Sequence, residues 1–100
     1  MRAAVSCITM FELERLGLKG ALHRDAVTTL LEDLPQASTV VWLTKAPLLS
    51  RAVRIGYSHG LAMADALIVA SLASVGAERI YTTDHDLLAY DAGPEIILLA

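Results

Sequence analysis

Leu61-Ala62-Met63-Ala64-Asp65-Ala66-Leu67-Ile68-Val69-Ala70-Ser71-Leu72-Ala73-Ser74-Val75-Gly76 is the stretch on which the fold turns. It reads as a helix over Leu61–Val75, apolar nearly all the way round and closed by Gly76. A helix of that kind is buried rather than laid on a surface. Asp65, Ser71 and Ser74 interrupt it, and it falls short of the roughly 20 residues that a membrane span takes. No membrane association is expected. A strand over Arg79–Thr83 follows directly, then a short helix or turn over Asp84–Asp91, a break at Gly93-Pro94 and a last strand over Glu95–Leu99.

The same alternation runs back towards the start. Thr44 is an expected N-cap for a helix with Leu48, Leu49, Ala52, Val53 and Ile55 inward and Gly56 as its end, so that Ser58-His59-Gly60 is a joint. Ser38–Leu43 is short and β-branched, which predicts a strand. Arg24–Leu34 repeats apolar residues at three- and four-residue spacing, and Pro35 is expected to stop that helix. Ala3–Ile8 reads as a strand of a covered sheet. Thr9 with Glu12 three residues on has the form of a capping box, predicting a helix from Thr9 that Gly17 and Gly20 end. Strands alternating with helices, some strands apolar on both faces, predict an α/β fold with a mostly parallel sheet in a single domain over residues 1–100.

Composition narrows the class. The net charge is −3, and 55% of the residues are hydrophobic before the six glycines are counted. An average soluble domain reaches only about 45–50% with glycine included. Disorder is excluded by that balance, and a disulfide scaffold by Cys7 being the only cysteine. The sequence has no basic nucleic-acid arm. A lone thiol and no recognisable secretory leader lead us to expect a cytoplasmic protein. The apolar excess predicts a self-associating chain, a partner-covered one, or one lacking a segment.

Candidate chemistry rests on acids. Asp65 lies within the most apolar helix, where an unpaired carboxylate costs several kcal/mol, so a salt bridge, a helix-dipole contact or a cation is expected there. Asp84 and Asp86 follow a strand and so sit at its carboxyl end, the edge where open α/β sheets bind ligands; the blander reading is a capped turn. Glu12 follows the strand Ala3–Ile8 in the same way, unless it serves the capping box alone. Acids from separate elements converging at one edge need a cation or protons. Oxygen-only donors of this kind suit Mg2+ or Mn2+ rather than zinc, and point to phosphodiester chemistry.

Other motifs do not fit. Asp84–Glu95 opens as Asp-x-Asp, but Ala89 stands where an EF-hand loop requires Gly. Leu87-Leu88 follows where dehalogenase-type phosphatases carry small and hydroxyl residues. A phosphatase of another α/β class stays as a third possibility. Neither a Walker loop nor GxGxxG occurs. His23, His59 and His85 lack metal-type spacing, and Ser50 and Ser58 lack a nucleophile context.

Three segments together resemble PIN-domain ribonucleases, and most closely the VapC-type toxins of toxin–antitoxin pairs. They are Ser6-x-Ile8-Thr9-x-x-Glu12-Leu13, then Leu61-Ala62-x-Ala64-Asp65-Ala66-Leu67-Ile68-x-Ala70, then Ile80-Tyr81-Thr82-Thr83-Asp84-His85-Asp86. The resemblance covers nearly the whole chain. It implies a three-layer α/β/α fold and Mg2+- or Mn2+-dependent endonucleolytic cleavage of RNA in a homodimer held by a cognate antitoxin protein. It matches Glu12, Asp65 and Asp84 to metal-binding acids, Asp86 to an auxiliary acid, Thr82 to a hydroxyl that orients the site, and Ser6 to a residue preceding the first matched acid.

Family members begin with a strand carrying an Asp and one or two helices, whereas no Asp precedes Glu12 here. The resemblance therefore implies a partial PIN domain lacking that strand and those helices, whether truncated, mis-started or a natural remnant. Lys19, Arg24, Lys45, Arg51 and Arg54 are the candidates for an RNA-facing groove, or else a solvated helix face. The intact reading is a metal-dependent endoribonuclease. The alternative is a catalytically impaired PIN domain acting only as a protein-binding module. For self-association the expected contributors are the helices Arg24–Leu34 and Thr44–Ile55.

Overall fold

A computed structural model describes residues 3–99. The start at Met1, on which the expected truncation turns, lies outside them. The chain divides into two compact units, one ending at Trp42 and the other beginning at Leu43.

The first unit runs β1 (Ala4–Ser6), α1 (Cys7–Leu18), α2 (Arg24–Ala37) and β2 (Thr39–Val41). β1 and β2 pair in parallel, with Ala4 opposite Thr39 and Ser6 opposite Val41. Parallel neighbours need a long crossover, and the two helices supply it. β1 is shorter than the expected strand Ala3–Ile8 because Ser6 turns the chain into a helix. Its hydroxyl accepts a hydrogen bond from the Ile8 N–H at 3.2 Å, and Ser6 is buried. The expected start at Thr9 is therefore corrected: Thr9 lies inside α1, and its capping box with Glu12 does not form. A helix has one first turn of free N–H groups, and Ser6 serves it three residues earlier.

Two expected stops are also corrected. Gly17 does not end α1; it is buried within it. A Cβ at Gly17 would stand 3.1 Å from Val27 Cγ1, so this glycine lets α2 lie close against α1. Pro35 does not end α2, which continues to Ala37. The hydrogen bond that proline removes falls in the last turn of α2, where little of the ladder is lost.

The second unit runs α3 (Ala46–His59), α4 (Met63–Ser74), β3 (Arg79–Thr82), a 3₁₀ turn over His85–Ala89 and β4 (Glu95–Leu98). β3 and β4 pair in parallel from Arg79 opposite Glu95 to Thr82 opposite Leu98. The expectation of a mixed α/β fold with parallel strands holds. Among the described residues the strands pair as two two-stranded sheets.

α3 departs from the expected helix Thr44–Ile55 at both ends. Lys45, not Thr44, is the N-cap, with no side-chain cap bond, and Pro47 stands in the first turn, where its missing N–H costs nothing. Gly56 is not a stop. A Cβ there would meet the Ala66 Cβ at 3.3 Å, so Gly56 is the point at which α4 comes close to α3. The helix ends at Gly60, whose φ of +68° lies in the left-handed region, and its N–H bonds the Gly56 carbonyl.

α4 starts two residues later than expected, at Met63. Ala66, Val69, Ala70, Ser71 and Leu72 are buried, while Met63 is exposed. The buried Ser71 satisfies its hydroxyl by donating to the Ile68 carbonyl at 2.9 Å. Leu61, Ile80, Leu87 and Tyr90 complete the core of this unit. No described helix is long and apolar enough to cross a membrane.

Substituting Gly60 by alanine forces a side chain into the left-handed region. The expected outcome is a loss of about 1 kcal/mol of stability, read as a lower urea midpoint by circular dichroism with an unchanged slope.

Candidate functional site

Thr82, Asp84 and Asp86 come together in one hydrogen-bonded turn at the carboxyl end of β3. The Thr82 Oγ1 accepts a bond from the Asp84 N–H at 3.0 Å. The Asp84 Oδ1 in turn accepts from the Asp86 N–H at 2.9 Å, so Asp84 is the N-cap of the 3₁₀ turn. Short oxygen-bearing side chains recur at such corners because they satisfy backbone N–H groups that the strand no longer pairs. Both aspartates are exposed. The capped-turn reading of this segment and the ligand-edge reading thus describe the same residues.

Asp65 belongs to the same unit and stands in the first turn of α4, where the helix dipole favours a carboxylate. It is half-buried rather than sealed in the core.

Glu12 and Ser6 belong to the first unit. The Glu12 Oε2 lies 2.9 Å from the Arg15 guanidinium one turn along α1, with both side chains partly exposed. Such a pair is worth at most about 0.5 kcal/mol, but it gives Glu12 a cation partner of its own. Ser6 serves as the cap of α1.

Among the described residues, no three of His, Cys, Asp and Glu are arranged so that they could hold a metal ion. Glu12 is paired to Arg15 in the first unit, and in the second one Asp84 oxygen is committed to a backbone N–H.

The candidate RNA-facing cations divide between the units. Lys19 and Arg24 flank the loop between α1 and α2, whereas Lys45 is the N-cap of α3 and Arg51 and Arg54 lie on it. α3 has three distinct faces at helical spacing. Ala52 is buried and Gly56 approaches α4. Leu49, Val53 and Tyr57 form an exposed apolar stripe. Arg51, Arg54 and Ser58 share the third face and, with Ile55 and His59, line an open cleft of about 370 Å³. The His59 Nδ1 lies 3.5 Å from an Asp91 carboxylate oxygen, and its ring meets Tyr90 edge-on at a centroid distance of 5.0 Å. Tyr90 in turn packs its hydroxyl over Gly93, in the space where a Cβ would be.

Ser58 and His59, which lack a nucleophile context and metal-type spacing in the sequence, reach the cleft because α3 runs past Gly56 to His59. The signal was present nonetheless: residues 51, 54, 55 and 58 follow the i, i+3, i+4, i+7 pattern once the helix is allowed to run on.

A family model described as PIN domain matches residues 2–93. No curated protein and no solved structure matches the chain significantly.

The capping role of Asp84 has a measurable signature. Asp84→Ala removes the acceptor for the Asp86 N–H and is expected to lower stability by about 1 kcal/mol, while Asp84→Asn, an equally good cap, keeps most of it. Equal urea midpoints for the two variants would show that the cap contributes nothing.

Proposed function

The chain belongs to the PIN-domain family, and from that premise we propose that it is an endoribonuclease of the VapC toxin type, cleaving RNA phosphodiester bonds. PIN domains are a nuclease family and typically depend on divalent metal ions. The observation that carries the reading is the turn built from Thr82, Asp84 and Asp86 beyond β3, in the same compact unit as Asp65. In this reading Asp65, Asp84 and Asp86 form the acidic centre, with Glu12 as a further acid. Thr82 holds the loop that presents Asp84, and Ser6 anchors the helix that carries Glu12.

Mg2+ is commonly bound by one or two carboxylates together with substrate phosphates rather than by an all-protein cage. A requirement for Mg2+ or Mn2+ is thus compatible with acids that make no cage of their own. Lys45, Arg51 and Arg54 supply positive charge for the RNA. A cytoplasmic setting, a cognate antitoxin and a homodimer complete the proposal. The exposed stripe of Leu49, Val53 and Tyr57 on α3 supports a partner, since contiguous exposed apolar surface marks interaction sites.

A second reading is favoured by the absence of any three-acid group among the described residues. In it the chain is a catalytically impaired PIN domain that acts as a protein-binding module.

RNA cleavage in Mn2+ by the chain and by Asp65→Asn separates the readings. The nuclease predicts turnover that falls by about a hundredfold or more in the variant. Equal activity of the two removes Asp65 from the chemistry. No cleavage, together with no calorimetric Mn2+ binding that Asp84→Asn abolishes, leaves the module.

A further inference from the structure

The cleft on α3 lies outside the acidic centre and has its own electrostatic character. From Lys45 to His59 the chain carries Lys45, Arg51 and Arg54 and no acid, although the whole protein has a net charge of −3. Each other helix carries more carboxylates than cations. Among the described helices α3 is therefore the one with a positive net charge.

Arg51 and Arg54 are one turn apart on the same face, which places the roots of their side chains about 5–6 Å from each other. Among the described residues neither guanidinium takes part in an ion pair. Ser58 continues the face one turn beyond Arg54, and its hydroxyl also has no partner among the described residues. Ile55 and His59 also line the cleft, and His59 in turn touches Tyr90 and Asp91.

Two uncommitted guanidinium forks and a hydroxyl in an open cleft match the non-bridging oxygens of a phosphodiester. The openness suits a strand that runs across the surface better than a small molecule that must be enclosed. We propose that this cleft is a phosphate-backbone site for single-stranded RNA, with Arg51 and Arg54 gripping neighbouring phosphates and Ser58 donating a hydrogen bond. The choice of RNA rests on the nuclease reading. The site itself is separate from the acids, and Lys19 and Arg24 take no part in it.

The test is the affinity of the whole chain for a short fluorescein-labelled oligouridylate, measured by anisotropy in EDTA so that no cleavage intervenes. Arg51→Gln/Arg54→Gln is expected to weaken binding about tenfold or more and to flatten the salt dependence of log K by about 1.4, for two lost phosphate contacts. Arg51→Lys/Arg54→Lys keeps the charge and is expected to recover most of that slope. Lys19→Gln/Arg24→Gln removes the same charge elsewhere and is expected to change affinity less than about twofold, the contribution of diffuse charge alone.

Both arginines are exposed, so an unchanged melting curve accompanies the expected result. Unchanged affinity and slope in the glutamine pair overturn the site, as does an equal loss in the Lys19/Arg24 pair. Equally tight, arginine-dependent capture of a polyglutamate peptide overturns the assignment to RNA in favour of an acidic protein partner. Cleavage in Mn2+ with no change of affinity in the glutamine pair sinks the site and spares the nuclease. Arginine-dependent binding without cleavage does the reverse.

Discussion

The close approach of α3 and α4 at Gly56 and Ala66 governs the second unit. A glycine at this point brings the two backbones together and buries Ala52 and Ala66. Because a helix is a rigid body with a fixed turn of 3.6 residues, fixing one face fixes the others. Once Ala52 and Gly56 face α4, Arg51, Arg54 and Ser58 are turned to one side and Leu49, Val53 and Tyr57 to another. The sorting of charge from apolar surface on α3 is thus a consequence of packing, not a separate device. On the other flank of the unit the parallel pairing of β3 with β4 sets where Thr82 ends the strand and hence where Asp84 stands.

The elements themselves were legible in the amino-acid pattern, and so was their parallel character. The boundaries were not, and the misreadings share a cause. Gly17 and Gly56 look like helix stops because glycine has poor helix propensity, yet both lie inside helices where a neighbour would stand only 3.1 and 3.3 Å from an added Cβ. That neighbour is distant in sequence, so local reading cannot see it. Thr9 has the right spacing to Glu12 for a cap, but Ser6 starts the helix three residues earlier by capping the Ile8 N–H. Where the deciding interaction was local, the reading held: Asp84 as a turn-capping residue after a strand is written in Thr82-Thr83-Asp84-His85-Asp86 itself.

The acids show the same division. The places of Asp65 in the first turn of α4 and of Asp84 just beyond β3 could be read from sequence, whereas Glu12 falls in the middle of α1 because the helix starts at Cys7. What each acid touches could not be read, because it depends on local commitments. Glu12 takes the nearest cation on its own helix, and Asp84 takes the nearest free N–H. Each commitment is small, of the order of 1 kcal/mol or less.

The contact between Tyr90 and Gly93 couples a loop to the cleft. The phenol ring fills the volume a side chain at position 93 would claim, and the same ring braces His59 from the other side. Any larger residue at 93 must push the ring outward, and the imidazole at the end of α3 then loses its support. Sequence drift in a loop remote from both arginines would therefore be felt as a loosened wall beside them, which makes position 93 a place where divergence between relatives could retune grip without touching a single contact residue.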